Sequence, residues 1–198
     1  MTSDPDLAEL LRAIAAGDRR TALAAEASLV TARLARSQEF FLARCQVQVY
    51  EGDTALHAAA FAYQVEIAED LVRRGADVLA RNRRGGQPLH AAVIGVPGSA
   101  NWNPTGQRAV VEYLLAAGAD PNAGAKDGVT PLHRAIRNRC SAAVDALLRA
   151  GADPRLANEH GSLPADLARW TTGRGGTGSD AARAEQRAII ELLDAALR

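Results

Sequence analysis

Apolar positions recur along this chain in short helical runs separated by polar, glycine-containing breaks. In VEIAEDLVRR, residues 65–74, Val65, Ile67, Ala68, Leu71 and Val72 fall on one face, at the spacing of an amphipathic helix. The pattern returns in RAVVEYLLAAG, 108–118, and in AAVDALLRAG, 142–151. These runs end at Gly75, Gly118 and Gly151, and glycine suits the left-handed position that follows a helix. A shorter, alanine-rich run precedes each of them, as in TALHAAAFA, 54–62. Thr54 is placed to cap that run, and Pro88, Pro131 and Pro164 fall just inside helix starts, where a missing N–H costs nothing. Residues 6–16 predict a first helix, broken at Gly17-Asp18; residues 21–35 predict a second and 183–197 a last. Residues 36–50 break the pattern, and Phe40-Phe41-Leu42 with alternating Val47 and Val49 reads as an inserted packing segment.

Two short motifs hold register through this pattern. TALH at 54–57, QPLH at 87–90, TPLH at 130–133 and LPAD at 163–166 are separated by 33, 43 and 33 residues. RRGADVLA (73–80), AAGADPNA (116–123) and RAGADPRL (149–156) travel with them. A later apolar pair, Leu192-Leu193, comes 45 residues after Leu147-Leu148. The unit is therefore about 33 residues, with about ten added in one copy and twelve in the last.

That period, together with Thr130, Pro131, Leu132, His133, Ala135 and Gly151-Ala152-Asp153, resembles the ankyrin repeat over residues 50–198. The resemblance implies an all-α solenoid of helix-turn-helix units joined by hairpin loops. Residues 1–198 then form a single domain. Its parts are a degenerate N-terminal repeat with an insert (5–50), repeats at 51–83, 84–126 and 127–159, and a C-terminal capping repeat (160–198). Terminal units diverge because one face meets water.

His57, His90 and His133 share one repeat position. In the ankyrin family the matching histidine is structural, so Thr54, His57, His90, Thr130 and His133 are read as frame. A neutral imidazole can donate from one nitrogen and accept at the other, which suits a tie between a helix start and a hairpin. Zinc ligands must converge within about 2 Å of one ion. Equivalent positions on packed helices stand about 8–10 Å apart. The histidines form a ladder, so no metal and no cofactor is expected.

Composition narrows the function classes. Charged residues balance at 23 basic and 23 acidic, which gives no global case for nucleic acid or an anionic membrane. Aromatics make up only 4%, which suits thin layers of close-packed helices rather than one thick core. Cys45 and Cys140 suggest no disulfide scaffold. The N-terminus has no signal-peptide pattern and no run of 18 apolar residues occurs, so a cytoplasmic protein without a membrane partner is expected. The alanine-, arginine- and leucine-rich style suggests a bacterial source. A solenoid with adequate caps does not need to dimerise, and a monomer is expected.

The expected function is a non-catalytic protein-protein interaction module. Four residues beyond each helix-1 histidine, or Asp166, stand Phe61, Ile94, Arg137 and Trp170; one residue beyond stand Ala58, Ala91, Arg134 and Leu167. These columns should line the concave side, and aromatics and arginine are typical interface anchors. Hairpin tips add Arg83 and Arg84. The expected binding set is Phe61, Arg83, Arg84, Ile94, Arg134, Arg137 and Trp170, facing another protein. The alternative is a small enzyme or an anion- or nucleotide-binding protein that uses the insert loops at 95–107 and 171–183. It would draw on His133, Cys140, Arg174 and Asp180, or on the glycines of GRGGTGS.

Overall fold

In the computed structural model, which describes residues 6–169 and 179–198, the two kinds of apolar run become two rows of helices. The chain starts with α1 (Leu7–Ala16), α2 (Arg19–Ala24) and α3 (Ala27–Thr31). It then passes through β1 (Phe40–Leu42) and β2 (Val47–Val49). Four helix pairs follow: α4 (Ala55–Phe61) with α5 (Val65–Arg73), α6 (Pro88–Ala92) with α7 (Pro104–Ala116), α8 (Pro131–Arg137) with α9 (Ser141–Arg149), and α10 (Pro164–Arg169) with α11 (Asp180–Ala196). α1, α4, α6, α8 and α10 pack in sequence as an inner row, while α2, α5, α7, α9 and α11 pack as an outer row. This is an all-α solenoid of helix-turn-helix units.

The inner helices approach closely because they are mostly alanine where they touch. Ala55, Ala58, Ala59 and Ala60 of α4 are all buried, and so are Ala91, Ala92 and Ala135. Leu56, Leu89 and Leu132, the leucines of the histidine motif, are fully buried, as are Leu71, Leu114 and Leu147 in the outer row. Each such leucine contributes roughly 1.5–3 kcal/mol of burial.

The Gly-Ala-Asp motif has a complete local explanation. After α5 the Gly75 N–H reaches Val72 O at 2.9 Å and the Ala76 N–H reaches Leu71 O at 2.9 Å. The same pair of bonds follows α7 and α9, at Gly118-Ala119 and Gly151-Ala152. Two carbonyls left over at the helix end are thereby satisfied, and the glycines take the positive φ this requires (96°, 101° and 87°). The aspartate then starts the next loop. Asp77, Asp120 and Asp153 each accept from the N–H two residues on, at 2.8–2.9 Å.

The N-terminal segment departs from the single helix expected at 21–35. Ala25 (ψ 140°) and Ala32 (ψ 151°) are non-helical, so α2 and α3 are short and separate. The cause is a tertiary claim on the backbone: Leu34 N–H donates to Asp53 O and Leu34 O accepts from Gly52 N–H, both at 2.8 Å. The segment at 36–50 becomes an antiparallel hairpin with Phe40 opposite Val49 and Leu42 opposite Val47. Leu42, Val47 and Val49 face the core, Phe41 is 60% exposed, and Phe40 lies under the Arg12 guanidinium. Among the described residues no helix is long and apolar enough to cross a membrane.

Candidate interaction surface

The three helix-1 histidines occupy identical joints. Their Nδ1 atoms accept from the N–H of Thr54, Gln87 and Thr130, at 3.2–3.3 Å. Their Nε2 atoms face carbonyls of the next hairpin: Gly86 O at 3.1 Å, Val129 O at 3.1 Å and Ser162 O at 2.9 Å. Only the neutral ring protonated at Nε2 satisfies both contacts. Burial pushes all three below the ordinary histidine value, His90 to about 3. Thr54 and Thr130 set their hydroxyls 3.0 and 2.8 Å from the same Nδ1 atoms. No ring nitrogen is left to act as a base or a ligand.

Cys140 is equally committed. It is fully buried, its thiol is pushed up to about 12 by desolvation, and it points at Asn138 O, 3.6 Å away. A thiol of that acidity is not a nucleophile at neutral pH. Asp180 opens α11, and Arg174 and the glycines of GRGGTGS lie outside the described residues. Among the described residues no group of three or more His, Cys, Asp or Glu is placed to hold a metal ion.

The expected contact residues divide into three environments. Phe61 is buried, 8% exposed, and Ile94 is partly buried. Phe61 is not on an open face because the first insert closes beside it. Tyr63, at the end of α4, donates its hydroxyl to Ile94 O, Gln107 Nε2 donates to Ala92 O at 3.1 Å, and Asn101 Nδ2 donates to Arg44 O at 3.0 Å. The insert is thus bolted to the hairpin turn, and its last four residues, 104–107, form the first turn of α7 behind the Asn103 cap. A cavity of about 240 Å³ remains between them, with Phe61, Tyr63, Cys45, Gln46, Asn101 and Trp102 in its walls. Trp170 lies outside the described residues.

The second environment is Arg83, which is neutralised. Its Nε and Nη2 both bond Glu39, and Arg83 with the Glu51 N–H holds the Glu39 carboxyl down at about 2. The third comprises Arg84, Arg134 and Arg137. Arg84 sits 5.3 Å from the Tyr50 ring centre, on the other cation of which, Arg83, the ring lies 4.9 Å away. Arg134 is partly buried and reaches back one repeat, with Nη1 3.3 Å from His90 O. Arg137 is exposed at the end of α8. None of these three has a carboxylate within 4 Å among the described residues, although Arg73, Arg74, Arg108, Arg149 and Arg169 all do. Tyr50, Glu39 and Tyr63 escaped the sequence reading. Tyr63 alone carried a signal, since it and Arg139 stand six residues after a helix-1 histidine and both have positive φ, 57°.

Comparison with known proteins identifies the repeat. Residues 21–124 match a family model described as "Ankyrin repeats (3 copies)", and residues 106–168 match "Ankyrin repeats (many copies)". Mouse "Ankyrin repeat and SOCS box protein 16" is 38% identical over 117 residues, which cover 58% of this chain and 25% of that protein. Human "NF-kappa-B inhibitor alpha" is 34% identical over 98 residues, 48% of this chain and 28% of that protein. Mouse "Cyclin-dependent kinase 4 inhibitor B" is 35% identical over 117 residues, 59% of this chain and 82% of that protein. The first of these relatives is thus matched over only a quarter of its length. The relatives matched are animal and plant proteins, so the bacterial source expected from composition draws no support from them.

Proposed function

Because the chain belongs to the ankyrin-repeat family, we propose that it is a non-catalytic module that binds another protein through its inner-helix face and hairpin tips. In this reading residues 1–198 form one domain, with full repeats at 51–83, 84–126 and 127–159, acting as a monomer in the cytoplasm. One observation carries the proposal. The recurring residues are consumed in the frame, the histidines in their joints and the Gly-Ala-Asp motif in helix ends, while one inner-helix position varies from buried Ala58 and Ala91 to partly exposed Arg134 and Leu167. A fixed frame with a varied column is how a solenoid presents a specific surface. Arg84, Ile94, Arg134 and Arg137 supply the contacts; Arg83, paired with Glu39, Phe61, buried beside the first insert, and Trp170, next in register, complete the set. The names of two relatives, an inhibitor of NF-kappa-B and an inhibitor of cyclin-dependent kinase 4, support a protein as the ligand.

The test is site-specific photo-crosslinking in cells. A crosslinking residue at Ile94 or Arg137 should capture one partner that the same residue at Arg187, on α11, does not. Capture from all three positions alike, or from none, would count against an inner-face binding site.

A further inference from the structure

Three arginines of the inner face, Arg84, Arg134 and Arg137, lie close enough for the outer two to act on the charge of Arg134. Several helix arginines are matched to acids: Arg108 to Asp145 at 2.7 Å, Arg149 to Asp145 at 2.9 Å, Arg169 to Asp194 at 2.9 Å. At the hairpin tips Arg83 takes Glu39. Arg84, Arg134 and Arg137 are gathered from one hairpin and one helix, and among the described residues no carboxylate lies within 4 Å of them. The acid that acts on Arg134 is Asp53. Both of its oxygens are already used, one on the Tyr50 N–H at 2.7 Å and the other on Asn82 Nδ2 at 2.8 Å.

Arg134 is the centre of this arrangement. Its register partners in the two preceding repeats are Ala58 and Ala91, both 2% exposed, so the column is shallow there and the long side chain lies back along it. The guanidinium has five N–H donors, and one protein acceptor, His90 O, is within reach. Desolvation first, then the neighbouring positive charges of Arg84 and Arg137, lower its pKa against the opposing pull of Tyr50 and Asp53. Tyr50 beside it presents a ring face that already holds Arg83 and Arg84. The side chains are therefore pre-positioned, and what the cluster lacks is negative charge.

We propose that Arg84, Arg134 and Arg137, backed by the Tyr50 ring, form a carboxylate-recognition site that takes an acidic, glutamate- or aspartate-rich segment of a partner protein. The planar guanidinium of Arg134 supplies paired donors for one carboxylate, and the flanking arginines hold acidic residues on either side. This rests on the protein-binding reading above and names the chemistry of its ligand. A folded nucleic acid is disfavoured, because the patch is short and the net charge of the chain is zero.

The experiment uses the full chain and a fluorescein-labelled deca-glutamate peptide, read by anisotropy, with deca-glutamine and a single-stranded DNA oligonucleotide as parallel probes. The deca-glutamate peptide should bind with an affinity that falls as salt rises, and deca-glutamine should not bind. Arg134→Met, which keeps the aliphatic stem, should weaken binding at least tenfold, and Arg84→Gln and Arg137→Gln severalfold. Arg187→Gln on α11 should change nothing. Circular dichroism confirms that each variant is folded. The proposal is overturned if deca-glutamate fails to bind, if Arg187→Gln weakens it as much as Arg134→Met does, or if the oligonucleotide binds more tightly at the same residues. Crosslinking of a partner at Ile94 together with any of these failures would leave the protein-binding reading standing and remove only the carboxylate site.

Discussion

The side-chain amide of Asn82 donates to Asp53 Oδ1 at 2.8 Å, a bond that joins one repeat to the hairpin of the next. Asn158 occupies the equivalent place further along the stack and uses its Oδ1 in the same way, on the N–H groups two and four residues on. Its Nδ2 is buried without an acceptor, because the residue before Thr130 is Val129, where the residue before Thr54 is Asp53. A buried unsatisfied donor costs stability that a matching acceptor restores. Val129→Asp should therefore stabilise the chain by about 1 kcal/mol, read as a rise in the urea midpoint. A lower midpoint would show that the loss of the valine side chain outweighs the new bond.

Stability should fall steeply below pH 6.5. His57, His90 and His133 have folded-state pKa values pushed below their unfolded value by burial, His90 to about 3. The unfolded chain therefore binds protons that the folded chain refuses. The stabilisation is fully present above pH 6.5 and is lost progressively as pH falls from there toward the folded-state values, about 3 for His90. Each such histidine contributes about 1.4 kcal/mol per pH unit at most. Urea titrations at intervals from pH 7.5 to 5 should show unfolding coupled to uptake of more than one proton. An uptake near zero would mean that the rings are already protonated in the fold.

Gly95 should not accept a side chain. Its backbone angle is ordinary, but a Cβ there would meet the Tyr63 hydroxyl at 2.8 Å, Trp102 Cδ1 at 2.9 Å and Cys140 Sγ at 3.0 Å. Gly95→Ala should destabilise by roughly 1–3 kcal/mol through overpacking. It should also shift the fluorescence emission of the native state, because Trp102 is displaced. A neutral result would mean that the insert can swing away at little cost.

Tyr63 and Arg139 share the left-handed backbone at equivalent turns, yet substitution by glycine should act on them in opposite directions. Among the described residues Arg139 makes no side-chain bond, and Arg139→Gly should relieve backbone strain and stabilise by about 1 kcal/mol. Tyr63 bonds Ile94 O through its hydroxyl and packs against the core, so Tyr63→Gly should destabilise by about 2 kcal/mol despite the same relief. Thermal melts of the two variants compared with the parent decide the point.

The parts of this fold that are written locally were readable in the sequence. Thr130 caps, Pro131 starts a helix, Gly151 ends one, and each acts within a few residues of itself. What could not be read depends on distant chain. Residues 32–35 have helical composition, but Asp53 and Gly52 hold Leu34 in an extended link. Counting register from His57 puts Phe61 on the inner face, but an insert from the following repeat covers it. Arg83 looks like Arg84 in sequence, and only the fold brings Glu39 to one of them. The hairpin at Phe40–Val49 turns through Gln46 at φ 53°, without the glycine that would have announced it.

The histidine joints give the stack a direction. Each ring caps its own helix start but takes its second bond from the hairpin that comes after it in the chain: His57 from Gly86, His90 from Val129, His133 from Ser162. Along this route, cutting away the final repeat strips His133 of its acceptor and weakens a unit that is otherwise whole. Cutting away the first repeat leaves all three joints closed. A ribosome making this chain therefore always holds one joint open, the newest, until the next hairpin has emerged.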